Sequence, residues 1–424
     1  MKRILLLLLL CPTSALASLE ITVQGGETAA QPIAVVPFAA PGDVSLQFAD
    51  VIASDLARSG LFLPLPSGDM LEKPSDAAQV NYRNWRAVAV DNVVVGKATR
   101  KPGGALVVHF ALLDALRGQQ LIAYDVPVPD PRKLRPVAHQ IADLIYQKLT
   151  GTPGSFNSQI AYVAASGKVD NRLFQIIVAD SDGADPITVA TSREPLMSPA
   201  WSPSREQLAY VGFERGRSAI YIHTLASGDL RRFVNERGIN GAPAWSPDGR
   251  SLALTLSFEK NPDIYVMDVA TGARRQLTQH FAIDTEPTWS PSGREIAFTS
   301  DRGGAPQIYV VPSAGGEAKR MTFEGKQNSR PRYSPDGKSL ALVNVNESGY
   351  RIGLLNLATH DLQILSSGPL DESPSFAPNG AVVIYASQGR QGAELATVST
   401  DGRIRQRLTQ PGDVREPAWS PIIR

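Results

Sequence analysis

The residues best equipped for chemistry in this 424-residue chain are scattered, not grouped. Five histidines, His109, His139, His223, His280 and His360, show no metal-ligand spacing, so each reads as a surface or turn residue. The one cysteine, Cys11, lies in an apolar leader, which leaves no thiolate nucleophile, disulfide or thiolate metal ligand in the rest. Asp180-Ser181-Asp182-Gly183 begins like a calcium loop but lacks a glutamate at the right distance behind it, and it reads as a turn. Asp284, Glu286, Asp371, Glu372 and Glu416 have the chemistry to hold a cation, although a solvated rim accounts for them more simply. No G-x-S-x-G elbow, G-x-x-x-x-G-K-[ST] loop, G-x-G-x-x-G turn or H-E-x-x-H pair occurs. The expectation is therefore no catalytic residue, no cofactor and no bound metal.

The elements that would position any site begin behind the leader. Lys2 and Arg3 precede an apolar run of seven residues, and Ala15-Leu16-Ala17 supplies the small residues a signal peptidase reads. Cleavage is expected between Ala17 and Ser18. The run is too short to span a bilayer. Leu10 stands where lipid attachment to Cys11 needs a small side chain, so Cys11 belongs to the discarded segment. Removing Lys2 and Arg3 takes the formal charge from +1 to −1. A near-neutral chain without a basic run gives no electrostatic reason to expect nucleic acid or an anionic membrane as partner.

A repeat dominates the remainder. Trp201-Ser202-Pro203, Trp245-Ser246-Pro247, Trp289-Ser290-Pro291, Tyr333-Ser334-Pro335, Phe376-Ala377-Pro378 and Trp419-Ser420-Pro421 are spaced 44, 44, 44, 43 and 43 residues apart, each with a proline two residues before the aromatic. Around residues 288–322 one period holds four short strands separated by Gly-containing turns, which is the pattern of a propeller blade. The aromatics read as plugs between blades. The prolines, which cannot donate to a ladder, mark an edge strand facing the channel. The last copy has no following strand, while Ile160-Ala161-Tyr162-Val163 stands unattached at the start. A six-bladed β-propeller closed by one late and three early strands accounts for both.

Residues 18–150 do not share the repeat and read as a small α/β domain: a buried strand at 32–38, a helix at 48–59, strands at 88–98, 105–114 and 121–128, and a helix at 134–149. Residues 150–154 read as the linker, with the propeller over 155–424.

The leader, the Pro-Ile-Ala-Val-Val-Pro-Phe strand, the linker and the six units together make the chain resemble the TolB family, the periplasmic propeller proteins of the Tol–Pal envelope system. The stretches at 196–203, 240–243, 285–289 and 377–380 carry the likeness most closely, and it covers the whole chain. The resemblance implies a periplasmic interaction module that supports outer-membrane integrity and outer-membrane constriction at cell division. It implies binding of Pal, the peptidoglycan-associated lipoprotein, by loops leading into the channel strands, at Asn240, Gly241, Ala242, Thr285 and Glu286. It implies binding of TolA, of the inner-membrane TolQRA complex, by the mature N-terminus: Ser18, Leu19, Glu20, Ile21, Thr22, Val23, Gln24 and Gly25. Other outer-membrane proteins are admitted as further partners; nucleic acid and membrane insertion are not. The alternation of Leu19, Ile21 and Val23 suits a strand added to a partner's sheet edge, or an ordinary first strand. Gln24 departs from the acidic residue often found there in the family. The rival reading is a propeller-gated periplasmic hydrolase or peptidase, which needs a catalytic domain that the sequence does not display.

Overall fold

A computed structural model describes residues 19–23, 30–44, 46–130, 133–257, 261–389, 392–408 and 410–422. The leader, Cys11, the Ala17–Ser18 cleavage point, Gln24 and Gly25 lie outside them.

The N-terminal α/β unit is a five-stranded sheet in the spatial order Phe62–Pro64, Gln31–Val35, Asn92–Arg100, Leu106–Asp114, Gln119–Val128. Gln31–Val35 pairs parallel with both neighbours, and the remaining pairs are antiparallel. Helices α1 (Phe48–Arg58) and α3 (Arg135–Thr150) share one core with Ile33, Val35, Val94, Val108 and Phe110. Ala34, Val36, Val93 and Val95 face a second core around Trp85, which lies on α2 (Tyr82–Ala87). With apolar partners on both sides, the first strand reads as an unbroken apolar run instead of an alternating one. Two elements differ from the sequence reading. The strand expected from 88 starts at Asn92, after the short α2, and Phe62–Pro64 adds a strand that three residues are too few to announce.

Six sheets follow, each led by an inner strand that holds one of the repeated prolines. These inner strands are Asp413–Trp419 (blade 1), Leu196–Trp201, Asn240–Trp245, Asp284–Trp289, Gln327–Tyr333 and Asp371–Phe376 (blades 2 to 6). Blade 1 draws on both ends of the repeat region: Asp413–Trp419 pairs antiparallel with Gln159–Ser166, which continues into Leu173–Asp180 and Ile187–Ser192. Blade 6 carries a fifth strand, Leu19–Val23, outside its fourth.

The repeat has a local physical account. The indole N–H groups of Trp201, Trp245 and Trp289 donate to the carbonyls of Ala418, Ala200 and Ala244, at 3.0, 3.1 and 3.2 Å. Each thus bonds the inner strand of the preceding blade. The following serine accepts from the amide that opens the next strand, Ser251 on Ser246 at 2.9 Å and Ser339 on Ser334 at 3.0 Å, which closes the turn. Gly249 and Gly337 take positive φ in those turns; the first copy sets Arg205 there instead, at φ 62°.

The residue before each proline, Ser198, Ala242, Glu286, Arg330, Ser373 and Glu416, has φ between 47° and 57°. All six inner ladders lose register at this point. Such non-glycine strain costs about 1–3 kcal/mol per residue and persists only where the surroundings impose it. Here the bulge turns amides out of their own ladder and onto the preceding blade. The Ser198 N–H donates to Glu416, that of Arg330 to Glu286 Oε2 at 3.0 Å, and that of Glu286 to Thr255 Oγ1 at 3.3 Å.

Candidate functional site

Loops entering the inner strands end in a buried polar anchor. Asn240, Asp284, Asn328 and Asp371 are fully buried. The Asn240 amide donates to the carbonyls of Ser218 and Glu236 at 3.0 and 2.9 Å, and its oxygen accepts from the Glu236 N–H at 2.9 Å. Asp371 accepts from the Gly368 N–H at 2.8 Å and the Ser387 hydroxyl at 2.7 Å. Asn240 and Asp371 thus spend polar atoms inside the protein and fix the loop tips. Large apolar side chains stand exposed on the tips: Ile239, Ile283, Phe323 and, at 85% exposure, Phe281.

Between blades 2 and 5 these loops border a cavity of about 530 Å³. Asn240, Gly241, Ala242, Thr285 and Glu286 all line it, together with Met197, Ser198, Arg330 and Arg332. The five residues singled out from sequence are thus brought together. Asn240 holds the loop by its own bonds, so the surface it offers is that of Gly241 and Ala242.

The cavity floor is ionic. Arg330 Nε lies 3.0 Å from Glu286 Oε1, its Nη2 3.6 Å from Glu416 Oε1, and its Nη1 donates to Ser373. Burial opposes the Arg330 charge, but Glu286, Glu416 and Glu372 outweigh it and hold its pKa above the ordinary value. Of the acids with the chemistry for a cation, Glu286 and Glu416 are engaged by this arginine and Asp284 by Arg302 at 2.8 Å. Arg332 and the exposed loop aromatics escaped the sequence reading, in which Arg330 stands only as one of the loop residues that vary between copies. Their signal was present in the variety of the loop residues between otherwise matching copies.

Leu19–Val23, the described part of the N-terminal segment, pairs antiparallel with Ile404–Leu408 of blade 6, with Leu19 opposite Leu408 and Val23 opposite Ile404. It is a strand, as its alternation suggests, and it completes an edge of this chain's own propeller.

The TolB amino-terminal domain matches residues 19–121 and the TolB beta propeller domain residues 146–423. The chain belongs to the TolB family. The Tol-Pal system protein TolB of Nitrosococcus oceani is 57% identical over 422 residues, 98% of this chain and 96% of that protein. That of Methylobacillus flagellatus is 59% identical over 415 residues, 97% and 94% of the two. The crystal structure of TolB from Acinetobacter baumannii, 39% identical, superposes with a TM-score of 0.87 over 96% of this chain and all of that one. Among the described residues of this TolB family member, no helix is long and apolar enough to cross a membrane.

A second polar centre of this TolB family member lies between the α/β unit and the propeller, and it corrects the sequence reading of one histidine. His139, expected at the surface or in a turn, is 1% exposed on α3. Its Nδ1 lies 2.6 Å from Asp55 Oδ2 and its Nε2 3.5 Å from Asp180 Oδ2, at the end of strand Leu173–Asp180. Burial opposes the imidazolium, but Asp180 and Asp55 outweigh it and push the pKa up to about 9. Arg135 pairs with Asp180 at 3.4 Å and with Asp182, and Arg58 donates to the Ser181 carbonyl at 3.1 Å. His139, Asp180 and Asp182 form the one trio among the described residues with the spread of a metal site, their donor atoms within 4.8 Å of one another. With Arg135 already on both carboxylates, the arrangement is an ionic clasp between the two units.

Proposed function

We propose that this chain is a periplasmic interaction module of the Tol–Pal system. It binds Pal through the loop-bearing face of the propeller and TolA through residues 18–25, and it catalyses no reaction. In this role it supports outer-membrane integrity and outer-membrane constriction during cell division. Membership of the TolB family supports the setting. The observation that carries the reading is the cavity itself: five residues from two separate loops border one concave surface together with exposed Ile239, while Ile283 and Phe281 stand exposed on the loop that leads into blade 4. Exposed apolar groups around a cavity suit a protein partner, since clustered apolar surface otherwise favours aggregation. The floor is fixed by inter-blade bonds, so the face is preorganised and loses little conformational freedom on docking.

The N-terminal contact has separate support. Leu19–Val23 is already extended, and as the outermost strand of blade 6 it has one edge paired with Ile404–Leu408. An extended segment of this kind is what strand addition uses, with backbone hydrogen bonds supplying affinity.

Full-length protein used as bait in a periplasmic extract should recover Pal and TolA, and recovery of neither contradicts the proposal. Intact mass of the exported protein should begin at Ser18 without lipid; a diacylglyceryl adduct on Cys11 contradicts the soluble form. Labelling by a serine-reactive probe would favour the hydrolase alternative.

A further inference from the structure

Immediately before the aromatic of each repeat stand Ala200, Ala244, Thr288, Arg332, Ser375 and Ala418. Five copies carry a small side chain, and blade 5 carries a guanidinium. Arg332 lines the cavity on the loop-bearing face, deeper along the inner strand than Arg330. Its one hydrogen bond among the described residues runs from Nη1 to the carbonyl of Pro331, at 2.9 Å.

The nearby acids are already committed. Glu286 accepts from the Thr299 hydroxyl at 2.9 Å and from the Arg330 backbone N–H at 3.0 Å, and it pairs with the Arg330 side chain. Glu416 accepts from the Ser198 N–H and faces Arg330 Nη2. Among the described residues, no carboxylate lies within ion-pair distance of Arg332. Burial and the neighbouring Arg330 lower the Arg332 pKa, with Glu286 and Glu416 offsetting only part of this. A guanidinium is a rigid fork of five donors that fits a carboxylate with two parallel bonds, and its charge does not titrate away in a protein. An arginine lining a cavity with most of its donors unpaired by protein has the chemistry to take an oxyanion.

We propose that Arg332 receives a carboxylate side chain that the docked protein partner inserts into the channel mouth. This rests on the reading that Pal docks on this face. A free oxyanion such as phosphate shares the chemistry, so the test separates the two sources. It also separates failure of the Arg332 assignment from failure of the docking reading.

Affinity of the full chain for the Pal periplasmic domain is measured by calorimetry for wild type, Arg332→Gln, Arg332→Lys and Ala242→Trp, with melting temperature as the folding control. Arg332→Gln should weaken binding at least tenfold, and Arg332→Lys should lose less, because it keeps the charge without the fork. Should the Gln variant fail to fold, the Lys variant and the partner's variants carry the test. Changing the partner's surface acids to amides one at a time should find one whose loss is as large alone and adds nothing on Arg332→Gln, the mark of a direct pair. Unchanged affinity for Arg332→Gln beside lost binding for Ala242→Trp overturns the Arg332 assignment and leaves the docking face standing. Unchanged affinity for both removes the docking face as well. Inorganic phosphate is titrated against wild type and Arg332→Gln without partner. Stabilisation of wild type alone, with no partner acid coupled to Arg332, assigns the site to a free anion and overturns the proposal.

Discussion

The clasp between the α/β unit and the propeller should weaken as pH rises, and His139 sets the window. Its pKa is pushed from 6.5 up to about 9 in the folded protein. A folded pKa raised above the unfolded one adds stability that is complete below pH 6.5 and is lost as pH climbs through about 9. Each tenfold gain in proton affinity is worth about 1.4 kcal/mol, so the protonated clasp contributes about 3 kcal/mol. That is a sizeable part of the ~5–15 kcal/mol that holds a typical domain folded. The groups facing the imidazole are Asp55 from α1 and Asp180 with Asp182 from the propeller, with Arg58 and Arg135 beside them. Burial opposes the Asp182 charge, but Arg58, His139 and Arg135 hold its pKa below the ordinary carboxylate value. Burial also opposes the Arg135 charge, but Asp182, Asp180 and Asp185 hold its pKa above the ordinary value. His139 is the group whose shifted value falls inside this window. Asp143, pushed by burial to about 6, has its own window at lower pH. Urea unfolding of wild type and His139→Gln from pH 6 to 10 reads the effect as a difference. Wild type should lose about 3 kcal/mol relative to the variant across this range. Parallel pH profiles would refute the clasp.

Three further outcomes follow from named contacts. Removing residues 413–424 takes away the inner strand of blade 1 and the partly buried Trp419, whose indole donates to Ser158 at 2.8 Å; the ~3–5 kcal/mol of a fully buried Trp bounds the side chain's share from above, and the lost strand pairing adds to it. The melting temperature should fall sharply, and an unchanged value contradicts closure through this strand. Gly60→Ala should destabilise by about 1–2 kcal/mol, because φ is +68° and the new methyl would sit 2.3 Å from Ile404 Cδ1 of blade 6; calorimetric scanning checks it, and a neutral result means the blade moves freely away from α1. Deleting residues 18–25 should abolish TolA binding and spare Pal binding in paired pull-downs, while equal loss of both makes the segment structural.

The propeller was legible because its determinants recur. Six copies of one proline, one aromatic and one tight turn report the same edge strand, inter-blade plug and hairpin, and the loose Ile160-Ala161-Tyr162-Val163 shows where the ring joins. The α/β unit was legible where both faces of a strand are apolar, as at Ile33 to Val36, and less so where an element is short, as in α2 with Trp85 its one buried residue. The strained residue before each proline was not visible, since Ser198, Ala242, Glu286, Arg330, Ser373 and Glu416 share a backbone conformation and no side-chain type. Nor was the clasp. Asp180-Ser181-Asp182-Gly183 reads as a turn, which it is, but its partner His139 lies on another domain and only tertiary packing brings the two together. Alternation in Leu19, Ile21 and Val23 announces a strand without saying whose edge it joins. For the candidate face, the sequence located the loops; which atoms they expose depends on anchors such as Asn240, whose polar groups turn inward.

The most direct test of the account is the affinity of the full chain for Pal with Ala242 made bulky and, separately, with Thr285→Lys. Both residues line the cavity, and Thr285 touches Thr255 of the neighbouring blade at 3.3 Å through its hydroxyl. A clash or an unpaired charge in a packed interface should weaken binding by at least ~1.4 kcal/mol, a tenfold change. Melting temperature is read alongside as the folding control, because Ala242 sits at the bulge of its strand and Thr285 contacts the neighbouring blade. Tenfold or greater loss with an unshifted melting temperature is the result the account predicts; full-strength binding by both variants would place the Pal site elsewhere.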